Sequence, residues 1–170
     1  MRTVTHEEIQ ASIDSVHNMT ESQTRKFMLR MQKEQPYIQV YVAAICERGE
    51  FENENDADAV ANLSSIVWRS MRRAAGGPLV KVKGHEIEKR EEQIMQLYRY
   101  AEGEPESNWP NMVQAWMEGY NQRPLLEFVL DSLMPPENPY GVTEEGSGMI
   151  FTYVKVIIDC LDNAKPKRRI

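Results

Sequence analysis

The sequence is poor in the residues and patterns that usually mark chemistry. It has two cysteines, Cys46 and Cys160, and neither has a second cysteine near it, so no CxxC pair, zinc knuckle or disulfide framework can be drawn. Both lie in apolar runs, which predicts buried free thiols in a reducing compartment. No serine carries the flanking glycines of a nucleophile elbow, and the glycine pairs Gly76-Gly77 and Gly146-Ser147-Gly148 lack the spacing of a phosphate-binding loop. No apolar run approaches the length needed to cross a bilayer. The first residues turn acidic at Glu7 and Glu8 and form no apolar signal core, so a cytoplasmic location without membrane attachment is expected.

Metal chemistry is equally thin. Di-metal carboxylate bundles repeat Glu-x-x-His on two helices, and the sequence offers only the single Asp14-x-x-His17, with His6 three helical turns before His17. The stretch Glu52 to Asp58 alternates oxygen-bearing side chains like a calcium loop, but it lacks the glycine at the turn and the acidic residue that closes such a site. No metal and no cofactor is expected.

What is present is helical periodicity. Thr5-His6-Glu7-Glu8 and Thr20-Glu21-Ser22-Gln23 are capping boxes, and each opens a helix. The first carries Ile9, Ile13 and Val16 on one stripe; the second turns Phe27, Met28 and Met31 inward between Arg25, Lys26, Arg30 and Lys33. Pro36 ends that helix and starts an almost wholly apolar one to Cys46, which Gly49 would stop. Val60, Leu63, Val67, Met71 and Ala74 predict a long fourth helix ending at Gly76. Its acidic start and its basic end at Arg69, Arg72 and Arg73 suit the helix dipole. Gly76 to Gly84 breaks the chain, with a short extended piece at Leu79 to Lys83 that has no visible strand partner.

A fifth helix carries Ile87, Ile94, Leu97, Tyr98 and Ala101 up to Gly103. A sixth spans about Asn108 to Tyr120, and a seventh runs from Pro124 to Met134. After the Pro-rich break and a cap at Thr143, Ile150 to Leu161 is rich in β-branched and aromatic residues, which favour strands. Its polar residues Thr152, Lys155 and Asp159 are spaced three and four apart, and that places them on one face of a helix.

Each half thus reads as a peripheral helix, a short helix, a proline joint, a central apolar helix and a long helix. A shift of 88 positions lays Pro36 on Pro124, Ile38 on Leu126, Val40 on Phe128 and Ile45 on Leu133. The expected fold is all-α, with about eight helices in two similar four-helix halves, 1–76 and 84–164, of a single domain 1–164; the basic tail 165–170 is expected to be disordered. The helices from Pro36 and Pro124 are expected at the centre, burying Ile38, Val42, Ile45, Leu126, Val129, Leu130 and Leu133.

The function most consistent with residues spent on packing is a non-enzymatic helical interaction or regulatory module. Its partner is another protein or a second copy: the apolar sector of the last helix, including Phe151 and Ile158, is too broad for one neighbour, and its second cover is either the first half or, as favoured here, a second copy in a symmetric dimer. One alternative is an enzyme with a pocket between the halves, drawing on Asp14, His85, Glu86 and Tyr98. The other is capture of an anion or nucleic acid by the basic stretch 69–90, through Arg69, Arg72, Arg73, Lys81 and Lys83 near Trp68. The net charge of −6 disfavours nucleic-acid binding by the surface as a whole and leaves room for such a local patch.

Overall fold

Local side-chain chemistry sets where the helices begin. The computed structural model describes residues 1–47, 51, 54–102, 117–134, 138–164 and 166, except the side chains at 98 and 100–102. Its helices among these residues are α1 (His6–His17), α2 (Glu21–Glu34), α3 (Pro36–Glu47), α4 (Glu54–Ala74), α5 (Gly84–Glu102), α6 (Arg123–Leu133) and α7 (Glu144–Asn163). There is no strand among the described residues, only an isolated antiparallel bridge between Leu79 and Pro166. The helix expected from Asn108 lies outside the described residues up to Met117, as do Gly49, Gly103 and the tail apart from Pro166.

Both capping boxes form, with Thr5 accepting from the Glu8 amide and Thr20 from the Gln23 amide. Thr143 likewise accepts from the Gly146 amide and starts α7. Helix α7 is therefore helical through Ile150 to Leu161, as the polar spacing predicted and β propensity did not. Helix α4 closes with Gly77 N–H on the Arg72 carbonyl and Gly76 N–H on the Arg73 carbonyl, Gly76 sitting at φ +68°. That pair of bonds is the Schellman closure, which needs a left-handed residue and so a glycine.

The centre of the fold differs from the expected one. The closest packing in the molecule is α4 against α7, not α3 against α6. Helix α3 buries Ile38, Tyr41 and Ile45 but exposes Tyr37 and Val40, and Val42 is half-buried. On α6, Leu125, Leu126, Val129 and Leu133 are buried, whereas Leu130 is half-buried. The physical reason lies in small side chains. Helices α4 and α7 interleave large apolar residues with Ser64, Ser65, Ser70, Gly146, Ser147 and Thr152, all buried, which permits approach from several sides. The hydroxyls of Ser65, Ser70, Ser147 and Thr152 each donate at 2.8 Å to the carbonyl four residues earlier, so they enter the core with a bonding partner. Met28, expected inside with Phe27 and Met31, is exposed at the edge of α2, and Leu97 is exposed on α5.

Around this centre α1 packs on α4 and α5 on α7; α3 packs on α4 and α6 on α7; α1 touches α6 and α3 touches α5. These six pairings are reciprocal between the halves, whereas the packing of α2 on α3 has no counterpart among the described residues. The broad apolar sector of α7 is covered by α4, α5 and α6 together, with Ile158 fully buried and Phe151 half-buried. Of these three, α4 is the cover that comes from the first half.

Two buried glutamines hold the extended segments. Gln35, fully buried just before Pro36, donates from Nε2 to the Val80 carbonyl at 3.0 Å and accepts from the Val82 amide at 2.9 Å. Gln122, fully buried two residues before Pro124, donates to the Arg2 carbonyl at 3.0 Å and accepts from the Val4 amide at 3.0 Å. Each primary amide thus pairs with an i, i+2 carbonyl and amide, as a neighbouring strand would. This is the partner that the extended piece Leu79 to Lys83 lacked in the sequence.

Candidate anion-binding cleft

The last two turns of α4 meet α2 side by side, because Phe27 of α2 packs edge-on against Trp68 of α4, ring centroids 5.1 Å apart at 73°. Trp68 is buried, so the pair is a structural rivet. Above it lies an open cleft of about 400 Å³ lined by Arg30 of α2 and by Arg69, Arg72 and Arg73 of α4, with the Gly76-Gly77 turn and Pro78 at its end.

The described lining of the cleft has four guanidinium groups, with Trp68 at its base, and no carboxylate; the nearest one recorded, Glu34, lines the adjoining cleft. Glu34 accepts from Arg72 Nε at 2.7 Å. Arg69 stands over the Phe27 ring, its central carbon 5.7 Å from the centroid. Its Nε is buried and has no hydrogen-bond partner. Burial first, then the charges of Arg73, Arg30 and Arg72, lower the Arg69 pKa. A guanidinium remains protonated regardless, so the four charges repel one another in a half-desolvated place. The dipole of α4 offsets only part of this, since it is equivalent to about half a charge at the helix end, and the Schellman bonds already occupy the Arg72 and Arg73 carbonyls.

A second cleft, about 560 Å³, adjoins the first and shares Arg30 and Pro78 with it; it adds Lys26 and Lys33 of α2 and Lys81. Of the basic residues singled out in the sequence, the fold brings Arg69, Arg72 and Arg73 together and sets Lys81 next door. Lys83 is exposed at the start of α5, where its amide donates to Glu86 at 2.7 Å. Lys89 and Arg90 line a third cleft, beside Cys160 and Glu86, which shares Lys81 with the second. The residues missing from the sequence reading are Lys26, Arg30 and Lys33. Their i, i+4 and i, i+3 spacing on α2 was visible, but their meeting with α4 across some forty residues was not.

The corresponding place in the other half is occupied by a closed network. Asn121, just before the second clasp glutamine, donates to Asp162 at 2.8 Å, as Arg72 donates to Glu34 just before the first. Three residues before Asp162 lies Asp159, three before Arg72 lies Arg69. Asp159 is buried and satisfied: it accepts from the Tyr120 hydroxyl and from Lys155 at 2.8 Å, with Arg90 4.0 Å away. Burial and the adjacent Asp159 charge push the Tyr120 pKa up. Asp159 thus has its counter-charges inside the chain, and Arg69 has none among the described residues.

The residues of the enzyme alternative do not converge. His85 is exposed, Glu86 caps α5, and exposed Asp14 accepts from Gln10 on its own helix at 2.8 Å; the Tyr98 side chain lies outside the described residues. Burial raises both thiol pKa values, Cys160 to about 12 and Cys46 further raised by Asp58 and Glu47. His6 and His17 are both exposed, His17 lying 3.3 Å from the Asn62 side chain. No three His, Cys, Asp or Glu side chains gather in a metal-binding group among the described residues. Within the stretch resembling a calcium loop, Glu52 and Asn53 are outside the described residues, and Asp56 is fully buried, accepting from the Thr143 amide at 3.3 Å. No described helix is long and apolar enough to cross a membrane.

No family model, curated protein or solved structure matches the chain.

Proposed function

We propose that this chain is a binding module, not a catalyst, and that its ligand is an anion bearing phosphate-type oxygens held in the four-arginine cleft. The observation that carries the reading is the buried, partnerless Nε of Arg69 among three further guanidiniums, with the nearest recorded carboxylate, Glu34, engaged by Arg72. Guanidinium forks match phosphate oxygens with two parallel bonds, and a buried donor without a partner is costly. A bound phosphate relieves the repulsion and gives the guanidinium nitrogens of the cleft an acceptor; pairing the buried Nε as well requires the Arg69 side chain to turn towards the cleft. The same reading takes 1–164 as one cytoplasmic domain formed by duplication of a four-helix unit: reciprocal helix pairings and the two glutamine clasps support this. It makes the two halves each other's partner, in place of a homodimer.

The test is thermal unfolding in sodium phosphate or pyrophosphate against sodium chloride at matched ionic strength. At a free anion concentration about 100 times Kd, the stabilisation is about 2.7 kcal/mol, or roughly 5 to 10 °C for a chain of this size. Arg69→Leu and Arg73→Gln should each abolish most of the difference. Equal midpoints in phosphate and chloride for the unaltered chain, or an unchanged difference in both variants, would overturn the proposal.

A further inference from the structure

Building on that reading, we infer that the anion is the phosphodiester backbone of a nucleic acid, laid along both basic clefts and bound without regard to base sequence. The two clefts are continuous through Arg30 and Pro78. They place Lys26, Arg30, Lys33, Arg69, Arg72, Arg73 and Lys81 on one surface, with Glu34 the carboxylate among the lining residues. Seven cations and one carboxylate give this surface a formal +6 on a chain of net charge −6, so the rest of the sequence carries −12. A polyanion is attracted to this face and repelled elsewhere, which fixes how it docks.

Length separates a polyanion from a small phosphate compound. Lys26, Arg30 and Lys33 span seven residues of α2, about 10 Å along its axis. One strand of a duplex presents a phosphate about every 3.4 Å, so roughly three phosphates face that row. The Arg69 cleft takes another beside them. The two aromatic rings nearest the track, Phe27 and Trp68, are both buried, so nothing there offers a face for a base to stack on or a closed pocket for a nucleoside. That leaves the sugar–phosphate backbone as the part contacted. An acidic protein fits less well, because protein interfaces depend on buried apolar or aromatic anchors, and the apolar side chains offered by the track are half-buried Pro78 and the exposed Leu29 at its edge.

The experiment is fluorescence anisotropy of the full chain with labelled oligonucleotides of two unrelated sequences, each single-stranded and duplex, titrated across salt concentration. Poly-glutamate and pyrophosphate serve as competitors. About four neutralised phosphates predict a slope of log K against log salt of roughly −3.6 for duplex and −2.8 for single strands, with less than a twofold difference between sequences. The pair Lys26→Gln with Lys33→Gln, both exposed and therefore harmless to folding, should bring the slope closer to zero by about 1.8 for duplex and about 1.4 for single strands. Arg69→Leu should weaken all four oligonucleotides alike. No measurable oligonucleotide binding, a slope shallower than −1, or competition by poly-glutamate equal to that of unlabelled oligonucleotide would overturn the nucleic-acid assignment. If phosphate still stabilises the chain in that event, the anion cleft stands and only its ligand changes; if it does not, both fail.

Discussion

Replacing Gln35 by leucine tests whether a side-chain amide substitutes for a missing strand. The two residues are close in size, so the change keeps most of the packing and removes only polar bonds. The Val82 amide, buried and bonded to Gln35 at 2.9 Å, is left without an acceptor, at a cost of about 1–3 kcal/mol. The Val80 carbonyl lies in a partly buried contact on an exposed residue, so water recovers much of that bond and the added cost is under about 1 kcal/mol. The expected loss is about 1–4 kcal/mol, read as a lower urea midpoint at unchanged slope by far-UV circular dichroism. Gln35→Glu sharpens the test. It keeps an acceptor for Val82 but turns a second oxygen towards the Val80 carbonyl. Burial and that carbonyl raise the introduced carboxyl's pKa above its unfolded value, so the variant approaches the parent below about pH 4, where the protonated group can donate, and loses stability relative to the parent as pH rises through the folded pKa. A loss under about 0.5 kcal/mol for leucine, or a glutamate variant whose deficit is constant with pH, would refute the clasp.

Gly146→Ala should destabilise by about 1–3 kcal/mol, because the new Cβ would lie 2.6 Å from Asp56 Oδ2 and 2.7 Å from Thr143 Oγ1, both engaged in the α7 cap; a neutral or stabilising result in urea unfolding, as helix propensity alone predicts, would show that this cap yields. Cys160, its pKa raised to about 12 by burial, should resist iodoacetamide in the folded chain and react once urea unfolds it. Because its folded pKa exceeds the unfolded value, its contribution to stability is complete below about pH 9 and is lost as pH rises towards 12, which alkaline urea titration measures.

What was legible in the sequence was local. Capping boxes act over three residues and helical periodicity over eight, so Thr5, Thr20, Thr143 and the helical face of Thr152, Lys155 and Asp159 could be read directly. Hydrophobicity misled about depth: the run from Pro36 is richer in apolar residues than α4, yet α4 took the centre because its small side chains admit neighbours on several sides, Ser65 and Ser70 bonding back to their own helix. The polar face of α7 was seen as a face, but not that it turns inward to a network with Tyr120 and Arg90. Three arginines of the cleft were recognisable as a charge cluster. The site proposed there depends also on Arg30 and on the buried Nε of Arg69, products of contact between helices that no spacing within one helix encodes.

The glutamine clasp between Val4 and Gln122 joins positions 118 residues apart. At a synthesis rate of about 5–20 residues per second, Val4 is made roughly 6 to 24 seconds before the amide that holds it, and α7, the last helix in the chain, arrives later still. Once made, α1, α3 and α4 can pack on one another, but the side of α4 that α7 covers has no partner until α7 is synthesised. The most extensive helix contact among the described residues is therefore the last to form, and the fold closes in one late step, when the strip of α7 carrying Ile150, Val154, Ile157 and Leu161 arrives.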